Sequence, residues 1–76
     1  MTGLVKRSVT LAGHRTSVAL EAEFWAALAN VAASRGLAPA ALIAEIDAAR
    51  APDQPLASAL RIFVLQALWS GEKASQ

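Results

Sequence analysis

The chain has 76 residues, more than half of them apolar, with a net charge of +1, no cysteine and a single histidine. That inventory leaves no disulfide framework, no thiolate metal site and no histidine-based metal cluster, so no metal or other cofactor is expected. No apolar run reaches the roughly 18 residues of a membrane span, and the N-terminus lacks the apolar segment of a signal peptide, so a cytoplasmic location away from membranes is expected.

A chain this short is expected to form one domain over residues 1–76. Such a domain buries only about 60% of its unfolded surface and leans on staples, metal or a second subunit. Its high apolar content favours the second subunit. Charge is uneven. The first twenty residues carry Lys6, Arg7 and Arg15 and no acid (+3), while the remainder has four bases against six acids (−2). That asymmetry fits either a nucleic-acid contact surface or a solvated basic arm.

Residues 4–11 read as a strand, with Val5, Arg7, Val9 and Leu11 alternating against Lys6, Ser8 and Thr10. Ala12-Gly13-His14-Arg15 carries a turn signal, because Gly13 tolerates positive φ. A second strand over 15–20 alternates Thr16, Val18 and Leu20 with Arg15, Ser17 and Ala19, the period-2 mark of a strand buried on one face. Ser8-Val9-Thr10-Leu11 is echoed in Ser17-Val18-Ala19-Leu20. A hairpin with Leu11 opposite Thr16 and Val9 opposite Val18 buries Val9, Leu11, Val18 and Leu20 together and exposes Ser8, Thr10, Ser17 and Ala19, with Lys6 at the edge. Two such similar strands could equally pair between subunits.

A helix follows over 22–35. Glu21 stands at its N-cap, a weak choice for capping, but its charge and that of Glu23 suit a helix N-terminus. Phe24, Leu28, Val31 and Ala32 form its apolar stripe, widened by Trp25, and Gly36 is suited to close it. Pro39 opens a second helix over 39–50, with Leu42, Ile43, Ile46 and Ala49 on one face and Glu45 and Asp47 solvated. Residues 51–55, with Pro52 and Pro55, break the chain. The third helix, 56–69, is apolar nearly all round (Ile62, Phe63, Val64, Leu65, Ala67, Leu68, Trp69). Such a helix is expected to be buried on all sides, in so short a chain against a second subunit. Trp25 and Trp69 read as core or interface anchors.

No catalytic apparatus is visible. There is no nucleophile with its base, no paired carboxylates on one helix face and no glycine-rich phosphate loop, so an enzyme is not expected.

A strand with alternating polar residues, fused to a helix, a Gly-centred turn and a second helix, resembles the ribbon-helix-helix family of bacterial DNA-binding proteins. The residues that carry the likeness are Thr16-Ser17-Val18-Ala19-Leu20 and Gly36-Leu37-Ala38-Pro39-Ala40-Ala41-Leu42-Ile43, within residues 15–50. The chain looks like a subgroup with an added N-terminal strand and third helix. The resemblance implies an α+β, mostly α fold that forms an intertwined homodimer. In it a two-stranded antiparallel ribbon enters the major groove and regulates transcription. Val18, Leu20, Leu42, Ile46, Phe63 and Trp69 are then expected at the dimer interface. Arg15, Ser17 and Ala19 are the expected base readers. Lys6, Arg7, Ser8, Thr10 and His14 extend the DNA-facing surface, and the amides near Ala38 and Ala40 lie by a backbone phosphate. The chain departs from the family pattern at Ala38, where a hydroxyl residue is usual, and at Ala19, where a polar reader is usual. If residues 4–11 pair beside the ribbon, the dimer sheet has four strands, about 4.8 Å apart, too broad for a groove about 12 Å wide. The second reading is a protein-interaction or antitoxin-like module that docks a protein partner on the sheet or the third helix.

Overall fold

A computed structural model describes residues 3–71. Two antiparallel strands, β1 (Leu4–Leu11) and β2 (His14–Glu21), precede three helices, α1 (Ala22–Ser34), α2 (Pro39–Ala49) and α3 (Leu56–Trp69). The fold is α+β and mostly helical.

The strands pair with each other inside the one chain. The register differs from the one expected: Leu11 lies opposite His14, Val9 opposite Thr16, and Arg7 opposite Val18. The reason is the turn. Ala12 (φ 51°) and Gly13 (φ 82°) both take positive φ, as a two-residue type I′ turn requires, and such turns match the twist of the strands they join. The loop is therefore two residues, not four, and β2 begins at His14. The shift of two residues preserves the alternation, so the faces are unchanged. Val5, Val9, Leu11, Val18 and Leu20 point to the helices, and Leu11, Val18 and Leu20 are buried.

The helices close over that face. β2 runs directly into α1 at Glu21, whose extended backbone forms the N-cap without a side-chain hydrogen bond. Trp25, Leu28, Val31 and Ala32 of α1 are buried with Leu42 and Ile43 of α2 and Leu60, Val64 and Ala67 of α3. Trp25 also ties the layers together, since its Nε1 donates to the Val5 carbonyl of β1 at 2.8 Å. Helix α1 ends in a Schellman motif: the Leu37 amide donates to the Ala32 carbonyl, the Gly36 amide to the Ala33 carbonyl, and Gly36 takes φ 71°. Helix α2 packs on β1, whereas α1 and α3 pack on β2.

Helix α3 differs from expectation. Only one of its sides is covered, that of Ala59, Leu60, Val64 and Ala67, and Ile62, Leu65, Leu68 and Trp69 face outward, Trp69 at 79% exposure. The buried residues recur at helical spacing, so a single stripe satisfies the protomer's own core.

The strained turn gives a direct check. Ala12 holds a left-handed conformation that costs an L-residue with a Cβ about 1 kcal/mol, and asparagine tolerates it better. Ala12→Asn should raise stability by about 0.5–1 kcal/mol in urea unfolding. An unchanged or lowered midpoint would rule out the I′ geometry.

Candidate nucleic-acid interface

The hairpin has a second face, turned away from the helices. Pairing places Lys6 across from Ala19, Ser8 across from Ser17, and Thr10 across from Arg15. These six side chains form one surface, with all but the half-buried Ala19 exposed. Sequence reasoning also groups Arg7 and His14 with the DNA-facing residues. The register puts both on the helix side instead, Arg7 opposite Val18 and His14 opposite Leu11. Arg7 lies over the Trp25 ring, 5.0 Å from its centroid, a cation–π contact. His14 is exposed beside the turn.

One carboxylate stands at the end of the outward face. Glu21 pairs with Leu4 and is engaged by Arg61 of α3, with Nε at 3.0 Å and Nη2 at 3.0 Å from Oε1. The same guanidinium lies 5.7 Å from the centroid of Phe24. The Glu21 carboxyl is held below its ordinary value, first by a hydrogen bond from its own backbone amide and next by Arg61. Arg61 thus neutralises the acid nearest the polar face, a contact that sequence spacing gives no means of finding, because forty residues separate the partners.

Arg50 and Arg35 are also engaged. Arg50 donates to Asp47 Oδ1 at 2.8 Å and to the Gln54 carbonyl at 2.7 Å, which closes the break between α2 and α3. Arg35 lies over Phe63, 5.1 Å from the ring centroid. Lys6 and Arg15 make no ion pair or hydrogen bond among the described residues.

Ala38 is the N-cap of α2 and supplies no side-chain cap, with Pro39 next to it. Its carbonyl accepts the Ala41 and Leu42 amides, and Ala40 is exposed in the first turn. Of the residues expected at a subunit interface, Val18, Leu20 and Leu42 are covered within the protomer, Ile46 and Phe63 are half-buried, and Trp69 is exposed. Among the described residues no three His, Asp or Glu side chains gather as metal ligands. No single described helix is long and apolar enough to cross a membrane.

The sequence model of the ribbon-helix-helix domain matches residues 4–68. The chain belongs to the ribbon-helix-helix family. No curated protein and no solved structure matches it significantly. Ribbon-helix-helix domains bind DNA as transcription regulators or antitoxins, typically as dimers, and are not enzymes. In this member the matched region takes in both strands and nearly all of α3, so the added strand and helix are part of the family pattern it follows.

The Glu21–Arg61 pair predicts a pH dependence. A carboxyl whose value is lowered on folding contributes stability above its unfolded value, about 4.3, and that contribution is lost as pH falls through the folded value. The stability difference between wild type and Glu21→Gln should therefore be largest near neutral pH and shrink below about pH 4.3. Denaturant midpoints across an acid series measure it, and a difference constant with pH would show that the pair is not formed.

Proposed function

We propose that this ribbon-helix-helix protein is a sequence-specific transcriptional regulator that acts in the cytoplasm as a homodimer, with the outward face of the sheet in the major groove. The observation that carries the reading is that face itself. It is a flat row of small, polar and basic side chains with its nearest acid neutralised by Arg61. Arg15 is suited to guanine O6 and N7 or to a phosphate. Ser17 and Ser8 donate or accept, and Ala19 and Thr10 offer methyl groups to thymine. The first turn of α2, at Ala38 and Ala40, is suited to a phosphate contact by its amides and dipole. Arg7 and His14 then serve at the margin, toward the DNA backbone.

The homodimer reading rests on family habit and on the uncovered side of α3. Ile62, Leu65, Leu68 and Trp69 present an apolar side, bordered by Arg61, whose charge is met by Glu21, and two copies can share such a side across a two-fold axis. The same side also supports the second reading, an antitoxin-like module that holds a protein partner there.

Two measurements test these statements. Labelled duplex from the protein's own upstream region, set against scrambled duplex across a salt series, should show selective binding. Three cationic side chains per hairpin (Lys6, Arg7, Arg15) limit the log–log salt slope of a dimer to no steeper than about −5. Arg15→Ala should weaken binding by about 1–3 kcal/mol if Arg15 reads a base. Equal binding of both duplexes that vanishes near physiological salt would reduce the interaction to charge alone. For the assembly, Leu65→Asp should shift sedimentation toward monomer with little loss of helix. Trp69→Ala, at an exposed position, should cost the isolated protomer less than about 1 kcal/mol. A dimer unaffected by Leu65→Asp would move the interface away from α3.

A further inference from the structure

The polar face of the hairpin has an acid within reach of one of its cations. Strand alternation sets Glu21 on the same side of β2 as Arg15, Ser17 and Ala19. Pairing places Leu4 across from Glu21 and Lys6 across from Ala19, so Lys6 and Glu21 are diagonal neighbours. Diagonal positions lie about 7–8 Å apart, a span that long side chains bridge. Arg15 stands at the other end of β2, about 20 Å along the strand and beyond such reach.

A lysine and a glutamate so placed attract each other at neutral pH, where both are charged. They do not meet. Among the described residues Lys6 makes no ion pair or hydrogen bond. The Glu21 carboxylate is turned to Arg61 of α3, whose Nε and Nη2 each stand 3.0 Å from Oε1. The docking of α3 on β2 brings Arg61 to that end of the strand, and its guanidinium lies 5.7 Å from the Phe24 ring centroid. A planar group held against a ring presents its donors with little further ordering, whereas the lysine ammonium moves on a flexible four-carbon stem. The competition for Glu21 goes to Arg61, and the Lys6 charge stays on the polar face.

We propose that Arg61 is a positioning residue for DNA binding: by occupying Glu21 it keeps Lys6 free to meet a backbone phosphate. The inference rests on the DNA-binding reading given above and deepens it, since it gives the third helix, which lies behind the sheet, a share in the affinity of the face. Without Arg61, Lys6 pairs with Glu21 and must leave that pair before it meets a phosphate. Exposed ion pairs are weak, so the effect is a few-fold, and its signature lies in which variants cancel.

The test uses the full chain and labelled duplex from its own upstream region. Wild type, Arg61→Gln, Glu21→Gln/Arg61→Gln, Lys6→Ala and Lys6→Ala/Arg61→Gln are titrated at fixed salt, with circular dichroism checking that each keeps its fold. Arg61→Gln should weaken binding about threefold to fivefold, and the added Glu21→Gln should restore the wild-type affinity. Lys6→Ala should cost about tenfold in wild type but only about threefold beside Arg61→Gln, a coupling between two residues that do not touch. A second readout needs no DNA. In a carboxyl NMR titration of Glu21, Lys6→Ala should leave the midpoint in place in wild type and raise it in Arg61→Gln. Wild-type affinity in Arg61→Gln would overturn the proposal. So would a loss that Glu21→Gln does not restore and that adds fully to Lys6→Ala, which would make Arg61 a direct contact or a purely structural residue. A Glu21 midpoint insensitive to Lys6 in Arg61→Gln would overturn it while leaving the DNA-binding reading intact. Absence of selective binding by wild type would overturn the DNA-binding reading and with it the role assigned to Arg61, whatever the titration shows.

Discussion

The fold depends on where the backbone of a short strand finds its hydrogen bonds. A strand of eight residues with an apolar face cannot stand alone, because its amides and carbonyls need partners. In this chain the two-residue turn at Ala12 and Gly13 supplies the partner at once and fixes the register. The register then decides which side chains lie across from one another, while the strand alternation decides which meet the helices and sets Arg7 with Val5, Val9 and Leu11 on the side of Trp25. The Trp25 Nε1 bond to the Val5 carbonyl anchors β1 to the helix layer. Without it, β1 would be held to the core by buried Leu11 and half-buried Val5 and Val9.

Much of this was legible in the residues. The alternation in 4–11 and 15–20 gave both strands and both faces, because side-chain period does not depend on register. Gly36 announced the end of α1, and the Schellman bonds at Leu37 and Gly36 are the physical form of that signal. Pro39 and Pro55 marked the starts of α2 and α3 in the same way. Three things were not legible. The register was missed because Ala12 is a poor turn residue on paper and takes a positive φ only under the demand of the I′ turn. The Glu21–Arg61 contact joins residues forty positions apart, and only the docking of α3 on β2 brings them together. The open side of α3 was hidden because apolar content reports what a side chain prefers, not what covers it. Ile62 and Val64 look alike in sequence, yet one is exposed and the other buried.

The arginines divide the molecule by task. Arg50 closes a loop, Arg35 and Arg7 lie over aromatic rings, and Arg61 occupies Glu21. Each such contact is worth little alone at the surface. Their joint consequence is a contrast in potential: the described arginines of the helical part are held in local contacts, while the hairpin presents Lys6 and Arg15 without competing acid. A weakly charged protein can in this way direct most of its uncompensated positive charge to one face, where long-range attraction to an anionic partner begins.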